Sequence, residues 1–169
     1  NDGTPMTMDD VLFSLNRILD PDTAASMSYL FENVESFEQT GDYELTVHLK
    51  TPDATWKFVP ATSPCTIVSK AAVEAAGDEY GAITSLTCVG TGPYKLESWT
   101  SGSEITLVKN ENYWGDKSTQ LWDKVVYNII PDDTSMALAA QSGQLDYVHI
   151  MGFAPDTFSI YENIGSMTF

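Results

Sequence analysis

Apolar side chains at Met8, Val11, Leu12, Leu15, Ile18 and Leu19 recur at the spacing of one helix face, which predicts a helix over residues 7–19. Thr7 can cap it, Asp10 stands three positions on as in a capping box, and Asp9 and Asp10 suit the positive end of the helix dipole. Asp20-Pro21 ends it. The period then changes to two. Tyr43, Leu45, Val47 and Leu49 alternate with Glu44, Thr46, His48 and Lys50, the pattern of a half-buried antiparallel strand. Paired with residues 31–38 across Thr40-Gly41-Asp42, it predicts a hairpin with His48 on the polar face. A short helical segment carrying Trp56, Phe58 and Val59 follows, then a loop bracketed by Pro60 and Pro64. Thr66-Ile67-Val68 reads as a short buried strand, and residues 71–76 as a small helix closed by Gly77.

The second half opens on Gly90-Thr91-Gly92-Pro93-Tyr94, a sharp turn feeding a strand, in which the glycines permit the turn and Pro93 stiffens it. Residues 94–99 and 104–109 predict another hairpin, followed by the Asn110-Glu111-Asn112-Tyr113-Trp114-Gly115 cluster. Val125–Ile130 is apolar on both faces and so belongs inside a sheet. Pro131-Asp132-Asp133-Thr134 opens a helix running to about Ser142, with Met136, Ala137, Leu138 and Ala140 inside and Gly143 after its end. Leu145–Val148 predicts a further short strand. Helices and strands alternate without repeats, giving a mixed α/β class.

Composition narrows the partners. The chain has 169 residues, 43% of them hydrophobic, enough for a real core. Its 24 acidic and 8 basic residues give a net charge of −16, and no Lys/Arg stripe exists to replace phosphate counterions, which excludes nucleic-acid binding. No apolar run is long enough to span a membrane. The chain starts on Asn1 without a signal peptide and stops on Phe169 without a polar tail, so we expect a section of a longer polypeptide, with any targeting or lipid-anchor segment outside it. Cys65 and Cys88 are too sparse for a disulfide scaffold and lack the companions of a metal site. Two buried thiols and one disulfide in an oxidising compartment are equally compatible with their spacing.

No catalytic constellation stands out. A phosphate cradle needs a glycine loop that opens a helix, whereas Pro93 removes an amide here and the continuation alternates as a strand. His48 and His149 lack a nucleophile motif, and no spacing singles out a carboxylate pair. Asp9-Asp10 and Asp132-Asp133 are explained by helix starts, and Asp2-Gly3 is a turn without the alternating ligands of a calcium loop. Metal, cofactor and catalytic residues are therefore all expected to be absent. Tyr94, Trp99, Tyr113, Trp114 and Trp122 are expected in the core; if displayed, they would suit a sugar or peptide groove.

Four motifs carry a resemblance. Asp2-Gly3-Thr4-Pro5-Met6-Thr7-Met8-Asp9-Asp10-Val11 with Phe13-Ser14, Arg17 and Asp20-Pro21 is similar to the "DGxPxTAxDVxFSxxRxxDP" signature of family 5 extracytoplasmic solute-binding proteins, the peptide- and nickel-type receptors of ABC importers. Gly90–Leu96, Asn110–Gly115 and Ala139–Asp146 resemble three further motifs in the same order, with Met8 for the usual Ala and Gln144 for the usual acidic residue.

The resemblance implies part of a type II periplasmic-binding-protein lobe with an inserted subdomain. Residues 1–88 would form that subdomain, 89–150 the return into the main sheet of the first lobe, and 151–169 the approach to the hinge or second lobe. It implies Tyr29, Ser63 and Pro64 as residues facing the ligand cleft. Nickel-type relatives tend to carry an Arg before that proline; Ser63 occupies the position here, which leaves oligopeptide as the expected ligand. Permease subunits and, indirectly, their ATPase would be the partners, outside the cytoplasm. A carbohydrate-binding module using the aromatic surface is the second reading.

Overall fold

The computed structural model describes residues 2–82, 87–148 and 161. The chain divides into two compact units. One comprises residues 1–99 and 106–126, the other residues 100–105 and 127–169.

In the first unit, helix α1 (Met8–Leu19) starts as its sequence demands. The Thr7 hydroxyl accepts from the Asp10 N–H, and the Asp10 carboxylate accepts from the Thr7 N–H, the reciprocal capping box. Leu15 and Ile18 are buried, with Val11 packed beside them, whereas Leu19 lies at the helix end, 37% exposed. Strands β1 (Val34–Gly41) and β2 (Glu44–Leu49) form the predicted antiparallel hairpin. Its turn is displaced to Asp42-Tyr43, so Tyr43 stands at the tip instead of opening the inward alternation. His48 is on the outward side as expected, with Nε2 2.8 Å from the Glu38 carboxylate. The Asn33 amide ties the open end of the hairpin, donating to the Thr51 C=O and accepting from the Thr51 N–H.

The centre of this unit is Phe31, with no exposed surface, at the end of a 3-10 turn (Ser28–Phe31) and not in a strand. It packs with Leu15, Ile18 and Val34, and its ring meets that of Trp56 edge-on, centroids 6.5 Å apart. Trp56 lies on the helical segment expected there, a 3-10 helix over Trp56–Ala61.

Thr66–Val68 is not a strand. The segment is extended, but its backbone bonds to a helix side chain: Ser14 Oγ accepts from the Val68 N–H at 2.9 Å and donates to the Asp10 C=O at 2.6 Å. Satisfying that amide from α1 removes the need for a neighbouring strand. Helix α2 (Lys70–Ala76) follows, capped by Ser69 and ended at Gly77.

Strands β3 (Tyr94–Thr100), β4 (Glu104–Lys109) and β5 (Lys124–Asn128) form a sheet in the order β3-β4-β5. β5 is thus an outer strand among the described residues, where its two-sided apolar pattern predicts an interior one. In the second unit, helix α3 (Asp133–Gln141) is capped by Asp132 and followed by Gly143 at φ +72°. Ala137 and Ala140 pack with Met136, Val148 and Tyr161. Leu138 is 59% exposed, because a helix carrying residues 136, 137 and 140 inward turns 138 outward. Leu145–Val148 is not a strand. His149 and Ile150 lie outside the described residues, as do residues 151–160 and 162–169.

Cys65 and Cys88 are free cysteines, so the alternative of a bridge between them is not realised. Nor are both buried: Cys65 is half-buried, its thiol donating to the Val59 C=O and pushed up in pKa by burial, while Cys88 is exposed. Intact-mass measurement is expected to give the same mass with and without reductant, with Cys88 alkylated before Cys65; a mass gain on reduction would overturn this. Phe31→Ala should cost about 3–5 kcal/mol in urea unfolding, the usual result of emptying a fully buried aromatic site.

Candidate functional site

Two adjoining turns of the first unit hold the residues expected at the ligand cleft. In Ser28–Phe31 the buried Phe31 anchors the turn and leaves Tyr29 pointing outward, 60% exposed. A second 3-10 turn, Ser63–Cys65, carries Ser63 exposed at its first position and Pro64, half-buried, at its second, where a missing N–H costs nothing. Hydroxyls hold this turn on both sides: Thr62 donates to the Val59 C=O at 2.6 Å, and Thr66 to the Ser63 C=O at 2.7 Å. The two turns meet where Ser63 Oγ contacts Met27 Sδ at 3.9 Å, directly before Ser28. Tyr29 and Ser63 are thereby exposed on neighbouring turns. Phe58, 64% exposed with the Lys57 ammonium over its ring at 5.1 Å, is a displayed aromatic that the sequence pattern did not single out. Its signal was a large apolar residue beside a proline-rich turn.

The Gly90–Tyr94 and Asn110–Gly115 motifs form a structural knot. Asn110, 2% exposed, donates from its amide to the Gly92 C=O at 2.9 Å and from its backbone N–H to the Pro93 C=O at 2.9 Å, and its Oδ1 accepts from the Asn112 N–H. Gln120, also buried, donates to the Pro93 and Asn110 carbonyls. The Tyr94 hydroxyl donates to the Trp122 C=O at 2.9 Å. Two buried amides therefore replace the sheet bonds that Pro93 and the turn cannot make. The glycines matter less than expected. Neither Gly90 nor Gly92 has positive φ, and a Cβ on Gly92 would approach only the Tyr94 C=O, at 3.9 Å. Gly115 is the demanding one, since a Cβ there would come within 2.7 Å of the Tyr113 ring.

Of the five aromatics assigned to the core, Tyr94, Trp99 and Tyr113 are half-buried, but Trp114 and Trp122 are 80% and 64% exposed. Trp114 leans on Tyr113 with centroids 5.7 Å apart and reaches an open groove beside Met6 and Asn112. A second cleft, between Thr4-Pro5-Met6, Ile67-Val68-Ser69 and Val89-Gly90-Thr91, has a volume of ≈ 40 Å³. That is room for about one water molecule and none for a peptide. No cluster of His, Cys, Asp and Glu suited to a metal ion occurs among the described residues.

The decisive comparison is with sequence families. The profile of the bacterial extracellular solute-binding proteins, family 5, matches residues 1–166. This chain belongs to that family. It is 27% identical over 171 residues to the oligopeptide-binding protein AppA of Bacillus subtilis, covering 99% of this chain and 31% of AppA. Among solved structures, it is similar to DppA of Helicobacter pylori in complex with the peptide STSA, with TM-score 0.72, 29% identity, and coverage of 86% of this chain and 30% of that one. It also matches AgaA of A. tumefaciens R10 in complex with agropinic acid, with TM-score 0.76, 32% identity, and coverage of 86% and 28%. The architecture is thus that of part of a periplasmic binding protein, in a family that serves transport and is not a family of enzymes. The chain spans about a third of the length of its curated relatives.

Asp10 lies at the root of the motif that matches. Its carboxyl is held below the usual range, first by the Thr7 N–H and then by the Lys70 N–H. A folded-state pKa below the unfolded one means that Asp10 adds stability above the ordinary aspartate value of 3.8, lost as pH falls through the folded value. Asp10→Asn should cost about 1 kcal/mol near neutral pH and flatten the acid limb of the stability curve, measured by urea unfolding from pH 7 down to pH 2. Asn110→Ala should cost about 1–3 kcal/mol in the same assay, through the Gly92 carbonyl it leaves unpaired.

Proposed function

We propose that this chain is part of the substrate-binding component of an ABC importer, which captures oligopeptides outside the cytoplasm and delivers them to the permease. The observation that carries the reading is the match, over 86% of this chain, to the ABC-transporter-associated binding protein DppA solved with a bound peptide. AppA, similar over almost the whole of this chain, is an oligopeptide-binding protein. An extended peptide suits such a receptor because its backbone can be held by generic hydrogen bonds whatever its side chains.

Residues 1–88 act as a subdomain inserted into the first lobe, 89–150 return to that lobe's main sheet, and 151–169 lead towards the hinge or second lobe. Tyr29, Ser63 and Pro64 face the ligand, and the remaining contacts come from the rest of the polypeptide. Binding closes two lobes over the peptide, a hinge motion favoured by contacts made only in the closed state. The permease and its ATPase recognise that state. The receptor performs no chemistry and reaches the membrane only through an anchor outside these residues. A second reading, a ligand like agropinic acid, is favoured by the 32% identity to AgaA, solved in complex with that compound.

Thermal-shift screening of the full-length receptor decides between them. Oligopeptides at about a hundred times Kd should stabilise it by roughly 2.7 kcal/mol, visible as a shift of a few degrees. Stabilisation by agropinic acid and not by peptides would reverse the assignment. Tyr29→Ala should weaken peptide binding about tenfold while leaving the unliganded Tm unchanged, since the ring is exposed. Unaltered affinity would remove Tyr29 from the cleft.

A further inference from the structure

Met27 is a large apolar side chain that neither caps nor builds the core. It stands among the small residues Ala24-Ala25-Ser26 and Ser28. It occupies the position ahead of the turn Ser28–Phe31, where a Ser, Thr, Asp or Asn side chain would take a free N–H, and its own side chain makes no such bond. Its carbonyl serves the turn, accepting from the Leu30 N–H at 3.1 Å. Ala25 and Leu30, on either side of it, pack against the Phe31 cluster, whereas Met27 belongs to neither hydrophobic cluster among the described residues. It is nevertheless half-buried.

Its contact is with the second turn. Met27 Sδ lies 3.9 Å from Ser63 Oγ, the hydroxyl donating to the thioether. Sulfur is a weak acceptor, so a better one can displace it. The side chain thus joins the turn that carries Tyr29 to the turn that carries Ser63 and Pro64, with part of its surface still open to solvent. An unbranched thioether with three rotatable bonds can reshape such a junction around different guests, a use to which Met is put at promiscuous binding surfaces.

We propose that Met27 is a specificity-determining residue, the apolar floor of a subsite between Tyr29 and Ser63 that takes one apolar side chain of a bound oligopeptide. The inference rests on the peptide-receptor reading and on Tyr29 and Ser63 facing the ligand. The groups assembled here suit that guest. The Tyr29 ring, the Met27 thioether and the Pro64 ring offer apolar contact, and the polar groups these side chains and Ser63 add are hydroxyls. A charged guest would lose hydration with no counter-charge among these four residues.

Calorimetric titration of the full-length receptor tests this, with tetra-alanine and its variants carrying one Phe or one Lys at each position in turn. Salt at about 0.15 M screens the long-range attraction of the acidic chain for Lys. At one position the wild type should prefer Phe to Lys. Met27→Glu puts a carboxylate in the subsite and should reverse that order at the same position, changing the Phe-to-Lys affinity ratio by about tenfold, with the ratio elsewhere unaltered. Met27→Leu, which keeps the floor apolar, should retain the wild-type order. Met27→Gln, uncharged and of similar length, gives a second reading should the Glu variant fail to fold. It should weaken the Phe peptide and spare tetra-alanine. A purely structural Met27 would lower all affinities alike or only the unliganded Tm; either result, or an unchanged ratio at every position, overturns the proposal. A wild type that binds none of these peptides is a different failure, one that overturns the peptide-receptor reading itself and this subsite with it.

Discussion

One carboxylate starts two helices. Asp10 takes the Thr7 N–H and hydroxyl on one oxygen, completing the capping box of α1, and the Lys70 N–H on the other, fixing the first residue of α2. One helical turn further, Ser14 is buried on the same face and holds the Val68 amide. The extended segment before α2 is thus fastened to α1 at Val68 and Lys70. The Phe31 core closes beneath that helix, with Cys65 at its margin. Without this clamp the segment has buried amides and no strand to pair with, the costly case for any backbone.

A comparable economy operates in the second pair of motifs. Pro93 ends in a carbonyl but offers no N–H, and the chain turns too sharply for regular pairing. Asn110 and Gln120 supply the missing bonds from the side, both buried, both spending their amides on backbone carbonyls. Residues far apart in sequence become mutually dependent through buried polar groups that have no solvent alternative. The Asn110 amide thus has a structural role that needs no ligand: it satisfies the Gly92 carbonyl.

Tyr29 and Ser63 project, both exposed, from short turns whose backbones are held by Phe31, Thr62 and Thr66. The strongly acidic balance keeps the chain soluble and adds long-range attraction for cationic ligands, without selecting one.

The sequence by itself determined whatever depends on near neighbours along the chain. The capping box at Thr7 and Asp10, the β1–β2 alternation, the outward position of His48, the α3 cap at Asp132 and the closing Gly143 are local consequences of side-chain spacing. The family motifs were legible for the same reason. Tertiary structure alone decided what Ser14, Asn110 and Gln120 do, because their partners lie 54, 18 and 27 residues away. It decided that Thr66–Val68 runs along a helix and not in a sheet, that Trp114 and Trp122 face outward, and that Gly115 and not Gly92 is sterically required. Apolar patterning reports that a residue can be covered; only the arrangement of the other elements says what covers it.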